Sequence, residues 1–195
     1  MERQTLEASI RGAWDARDFE GATTETLRAY GPEVLGFLVA TLKDADAAED
    51  AFSLFAERLW LNMARFEWKC SVRTWSYVIA RHAAADRYKN EARHHRARVT
   101  SSSLAELEAS IRTETLSVLR TQKRTEIALL RDELADEDRA LLVLRVDRNL
   151  SWRDIAQVLG GVAEDELDRE AARLRKRFQL VKEQLRKLAK ERGLI

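Results

Sequence analysis

In SVRTWSYVIARHAAADRYK, residues 71–89, Arg73, Thr74, Tyr77, Arg81, Ala84 and Tyr88 fall on one helical face. The opposite stripe is apolar: Val72, Trp75, Val78, Ile79 and Ala83. Immediately upstream, Arg65–Cys70 puts Phe66, Trp68 and Lys69 into a connector. Aromatic rings stack on unpaired bases and guanidiniums pair with phosphates, so rings interleaved with arginines suit single-stranded nucleic acid. A surface helix whose amphipathic side chains lie along its own flank would look the same.

A second stretch is acidic. In AEDAFSLFAERLW, residues 48–60, the apolar positions Ala48, Phe52, Phe55, Ala56 and Leu59 continue to Met63 on one narrow face. Asp46, Asp50, Ser53 and Glu57 cluster elsewhere, with Leu54 and Leu61 beside them. Two leucines seven residues apart on a polar side suggest a docking surface for a basic partner. A core helix with a solvated acidic face is the alternative.

The third is basic. Leu167, Ala171, Leu174, Phe178, Val181, Leu185 and Leu188 form one stripe, flanked by Arg169, Arg173, Arg175, Lys176, Arg177, Lys182 and Arg186. Coiled-coil partners interleave both signs for cross-pairing, whereas here one sign dominates, as a phosphate backbone would require. Upstream, Asp136 and Ser151 can each cap a short helix, and the second ends at Gly160-Gly161. The order is that of a helix–turn–helix. Glu164, Asp165, Glu166 and Asp168 repel phosphate, so DNA contact is expected to begin no earlier than Arg169.

Covalent chemistry finds no support in these residues. His94 and His95 adjoin arginines in a polar stretch, and His82 has no acid at ligand spacing, so no metal set is evident. Cys70 lacks a catalytic partner, and the chain has no Walker loop and no Gly-rich dinucleotide turn. The expectation is a non-enzyme with no cofactor.

The elements that must position these residues are helices. Glycine (7) and proline (1) are scarce, and 34% of residues are charged while the net charge is only +1. Nucleic-acid binding must then come from local patches. A single cysteine suits a reducing compartment, and no apolar run is long enough to span a bilayer. The expected protein is all-α, soluble and cytoplasmic, with no membrane contact. Helices are expected over 6–14, from near Pro32 with Val34, Leu35, Leu38 and Leu42 inward, over about 46–63 and 72–89, then from Leu104 to Leu134 with interruptions. Two small helical domains are expected, 1–90 and 123–195, joined by a linker over 91–122, whose polar start is NEARHHRARVTSSS, residues 90–103.

In this order the pieces resemble the extracytoplasmic-function class of bacterial RNA polymerase sigma factors. The most specific part is W-x-Y-x-I-A-R-x-x-A-x-D-x-x-K/R, carried by Trp75, Tyr77, Ile79, Ala80, Arg81, Ala84, Asp86 and Lys89. Ala48-Glu49-Asp50 followed by Arg58-Leu59-Trp60 is a second match, and LLVLRVDRNLSWRDIAQVLG, residues 141–160, is similar to the family's C-terminal helix–turn–helix. The resemblance implies core RNA polymerase and promoter DNA as partners, with room for an anti-sigma factor. It implies that Asp46, Glu49, Asp50, Ser53, Leu54 and Glu57 grip the clamp helices of the largest subunit, with the C-terminal domain near the flap. It assigns the −10 element to Phe66, Trp68, Lys69, Arg73, Thr74, Trp75, Tyr77, Arg81 and His82. It assigns the −35 element to Ser151, Trp152, Arg153, Arg169, Arg173, Arg175, Lys176 and Gln179. Ser53 and Leu54 stand where the family usually has Gln-Glu, and His82 where it has Asn. The helical wheel sets His82 near the inward stripe, while the resemblance sets it towards DNA. A polymerase-independent helix–turn–helix regulator on palindromic sites, and a module whose basic helix pairs with an acidic protein, are the competing readings.

Overall fold

The computed structural model describes residues 3–86, 102–121 and 126–195, and no strand occurs among them. Nine α-helices run through these residues: α1 (Arg3–Asp15), α2 (Phe19–Leu42), α3 (Ala45–Asn62), α4 (Val72–Asp86), α5 (Ser102–Thr121), α6 (Glu126–Asp132), α7 (Asp136–Leu142), α8 (Trp152–Gly160) and α9 (Leu167–Glu191). A 3-10 turn (Met63–Arg65) follows α3, a π turn (Val143–Asp147) follows α7, and a 3-10 turn (Glu164–Glu166) precedes α9. His94, His95 and residues 91–101 of the expected linker lie outside the described residues, as do Tyr88, Lys89 and residues 122–125.

α2 is the axis of the fold, in contact with α1, α3, α4, α5 and α7. It does not begin near Pro32, as the proline suggested. Asp18 caps it by accepting from the Gly21 amide at 2.8 Å, and Lys43 ends it in a left-handed conformation with its N–H on the Val39 carbonyl. An internal proline removes one helical hydrogen bond and disfavours the helix by about 3 kcal/mol. Burial of Ala22, Leu27, Tyr30, Val34, Leu35 and Leu38 along the same helix outweighs that. Asp44 caps α3, taking the amides of Asp46 and Ala47, and α3 then buries Ala48, Phe52, Phe55, Ala56, Leu59 and, just past its end, Met63. That is the stripe its periodicity predicts.

The expected linker segment is helical over its described part. α5 packs on α2 and α3 and contributes Leu104, Ile111 and Leu116 to the core. A single apolar core joins the first half of the chain to the second. It takes in Leu38 and Tyr77 as well as Leu144, Ile155, Leu174 and Phe178. α8 lies directly on α4. Arg139 of α7, 2% exposed, reaches across to the end of α2, donating from Nη2 to the Thr41 carbonyl at 2.9 Å and from Nη1 to the Leu134 carbonyl at 3.0 Å. The Lys43 ammonium makes a second link, to the Asp132 carbonyl.

Candidate nucleic-acid interface

α3 carries the acidic surface. Asp46 and Asp50 are exposed, Leu54 and Glu57 half-buried, and Leu61 is 50% exposed. Glu49 and Ser53 already have partners on α5. The Ser53 hydroxyl donates to Glu108 Oε1 at 2.6 Å, and Arg112 Nε lies 3.5 Å from Glu49 Oε2.

The aromatic connector folds inward. Phe66 is buried and stacks on Trp75 with centroids 4.4 Å apart. Trp68, held at positive φ, packs against Phe66 and edge-on to Trp14, with the Arg11 guanidinium 4.9 Å above its ring. Lys69 is exposed and pairs with Glu67 at 2.5 Å, which holds the Glu67 carboxyl below its ordinary range. Burial pushes the Cys70 thiol up to about 11, Asp154 adding to it, so the thiolate nucleophile is scarce at neutral pH.

The Arg/Tyr face of α4 is the largest departure from expectation. Instead of facing solvent it is sandwiched between α2 and α8. Arg73, 8% exposed, makes a two-pronged pair with Glu33 (2.6 and 3.0 Å) and donates to the Arg148 carbonyl at 2.9 Å. Thr74 donates to Asp154 Oδ1 at 3.0 Å, and Glu7 caps the start of the helix through the Val72 and Arg73 amides. Tyr77 is fully buried, edge-on to Phe37 at 5.4 Å. The Arg81 guanidinium turns towards the Leu159 carbonyl at 3.4 Å. In this arrangement Glu33, the Arg148 carbonyl and Asp154 hold Arg73 and Thr74, and Tyr77 is buried by packing with its phenol oxygen unpaired.

Burial, with Glu33 next in effect, raises the Tyr77 phenol well above its ordinary value of 10.0. A neutral form favoured only in the folded state contributes stability that is fully present below pH 10 and is lost as pH rises towards the folded value. The urea midpoint of the wild type is therefore expected to fall as pH rises above about 10. Tyr77→Phe should flatten that fall, since the phenol oxygen is buried without a hydrogen-bond partner. An unchanged slope in the variant would contradict the burial argument.

The opposite side of α4 packs on α3 and is partly exposed at Trp75 and His82. Arg58, Asn62, Arg65, Trp75, Ile79 and His82 line a groove of about 270 Å³ between the end of α3 and α4. His82 is exposed here, which resolves its placement towards the groove rather than the core. Arg58 pairs with Asp86 at 2.9 Å, holding the two helices together at this point. Sequence reasoning missed Arg58, Asn62 and Arg65 as lining groups. Their signal was spacing by four and then three, which aligns them on one side of a helix.

The second half offers a basic surface. Ser151 caps α8 by accepting from the Asp154 amide. The Trp152 ring is edge-on to Phe178 at 5.5 Å, with the Arg145 and Arg175 guanidiniums 5.0 and 5.7 Å from its centroid. Several of the expected cations are internally paired. Arg153 binds Asp168 at 2.8 Å, Arg173 forks onto Glu170 at 2.6 and 2.7 Å, and Arg177 joins Asp138 and Glu137 at 2.5 and 2.7 Å. Arg169 and Lys176 are exposed on a groove of about 460 Å³ at the start of α9, which Glu166, Glu170 and Arg173 also line. Gln179 is exposed one helical turn from Arg175 and Lys176.

No group of three His, Cys, Asp or Glu residues among the described residues is arranged to hold a metal, and no described helix is long and apolar enough to cross a membrane.

Residues 26–94, which include most of α2 and all of α3 and α4, match the family described as Sigma-70 region 2. The chain is also 28% identical over 135 residues to the RNA polymerase sigma factor YlaC of Bacillus subtilis (strain 168), an alignment covering 68% of this chain and 76% of that protein.

Proposed function

We infer from the region 2 match and the likeness to a sigma factor that this chain is an RNA polymerase sigma factor of the extracytoplasmic-function class, which binds core polymerase, brings it to two-part promoters and helps open them. The mechanism is differential binding and involves no covalent step. The acidic face of α3, with Leu54 and Leu61 as its apolar part, grips the clamp helices of the largest subunit. Residues 1–90 and 123–195 act as separate readers of the −10 and −35 elements once polymerase holds them apart, in the cytoplasm where the polymerase works.

The observation that carries this reading is the open groove between α3 and α4, inside the region 2 match. It brings cations (Arg58, Arg65), an aromatic ring (Trp75) and two side chains able to hydrogen-bond base edges (Asn62, His82) to one concavity. Stacking of a base on such a ring contributes about 1–3 kcal/mol, which offsets the few kcal/mol lost when a base leaves the duplex. The −10 strand is thus met on the Trp75–His82 side of α4, and the Arg73–Tyr77 side serves the fold.

For the −35 element the exposed Arg169 and Lys176 are the phosphate contacts, since Arg173 already spends its charge on Glu170. Each phosphate contact contributes about 0.9 to the slope of log affinity against log salt. The Arg169→Gln/Lys176→Gln variant is therefore expected to reduce that slope by about 2 when holoenzyme binds a promoter duplex, with little change in which sequence is preferred. Unchanged salt dependence would remove these two residues from the interface.

A further inference from the structure

We propose that α5 is an internal competitor for the polymerase-docking face of α3, and that polymerase binds by displacing it. The proposal rests on the reading that α3 docks polymerase. Three observations on α5 carry it. Ile111 inserts at Gly31 of α2, where an added Cβ would sit 3.1 Å from Ile111 Cδ1, so the notch fits a chain without a side chain at that point. Arg112 places a cation on Glu49, and Glu108 takes the Ser53 hydroxyl, so α5 holds two of the six α3 residues assigned to polymerase. A basic side chain from α5 thus sits where a basic polymerase helix would.

The third observation is that the seat is poorly compensated. Glu108 is 4% exposed, and among the described residues its partners are the Ser53 hydroxyl at 2.6 Å and the Arg112 guanidinium 3.9 Å away. A buried carboxylate held by one close hydrogen bond and one long ion pair still weakens the packing around it compared with an apolar residue of similar size. α5 is therefore anchored by Ile111, Leu104 and Leu116 but carries a built-in defect facing α3. Such a helix stays on while the chain is free and yields to a partner offering a larger surface.

The test uses the full chain with Cys70→Ser and the pair Gly31→Cys/Ile111→Cys. A Cβ at Gly31 would lie 3.4 Å from Ile111 Cγ2, one bond from the Ile111 Cβ, which is within reach of a disulfide. Equilibrium binding to core polymerase is measured on the oxidised and reduced forms of the same protein. The expected result is binding at least about tenfold weaker when oxidised and restored on reduction, a difference of about 1.4 kcal/mol. In parallel, Ile111→Asp should loosen α5 and tighten binding severalfold, whereas Glu108→Leu should seat it better and weaken binding severalfold. Equal binding of the oxidised and reduced forms, or no change in the two single variants, overturns the proposal. If wild type and reduced variant both fail to bind core, the polymerase reading falls, and this inference with it.

Discussion

Replacing Arg139 with alanine is expected to lower the unfolding free energy by about 3–5 kcal/mol, read from urea unfolding at neutral pH. The guanidinium is buried at the point where α7 meets the end of α2, and it donates to the Thr41 and Leu134 carbonyls with Asp136 at 2.5 Å. Thr41 lies in the last turn of α2, where backbone carbonyls lack helical partners and the helix dipole favours a positive charge. Removal of the side chain leaves two buried acceptors unmatched, at about 1–3 kcal/mol each, and a cavity where the guanidinium lay between the Thr41 and Leu134 carbonyls. Arg139→Met keeps the apolar stem but not the donors, so it should lose about half as much. Near-wild-type stability of the alanine variant would mean that water replaces the guanidinium and that the remaining links, such as Arg73 to the Arg148 carbonyl and Thr74 to Asp154, hold the two halves together.

The second large effect concerns polymerase. The double substitution Asp50→Arg/Leu54→Arg is expected to weaken binding to core polymerase by about 100-fold, or about 2.7 kcal/mol. Asp50 is exposed, and Leu54 is half-buried at the edge of the core, outside the fully buried stripe formed by Phe52, Phe55 and Leu59. The chain should therefore stay folded while its acidic surface meets a basic partner with the wrong sign, a juxtaposition that costs several kcal/mol at a docked interface. Circular dichroism and thermal melting of the free variant separate the two effects. Wild-type affinity for core in a folded variant would move the docking face off α3.

The features that were legible in the sequence share one property: their cause is local. The α3 stripe, the Ser151 cap and the apolar side of α9 follow from periodicity and hydrogen bonding within a few residues. The start of α2 was misjudged because Pro32 is a local stop signal that non-local burial overrides. α4 was misread for a related reason. Arginine, threonine and tyrosine on one helical side look solvated, yet Glu33, Arg148 and Asp154, from 40 residues upstream to 80 downstream, supply their partners. A helical wheel shows which residues share a face but not what covers it. In the same way the periodicity from Leu104 foretold a helix but not its seat, since nothing near Ile111 announces the notch at Gly31. His82 illustrates the converse: the wheel and the family pattern disagreed, and packing decided for the groove.

The measurement that bears most directly on the whole account is in-vitro transcription with purified core polymerase across a promoter library, with and without this chain. The account predicts transcripts that start downstream of one shared two-part motif only when the chain is present. Arg169→Gln/Lys176→Gln should lower transcript yield while leaving the motif unchanged, and Trp75→Ala or His82→Ala should weaken dependence on its downstream part. Absence of chain-dependent transcripts with a competent core, together with a shift of palindromic duplex by the chain alone, would contradict it and point to a regulator that acts without polymerase.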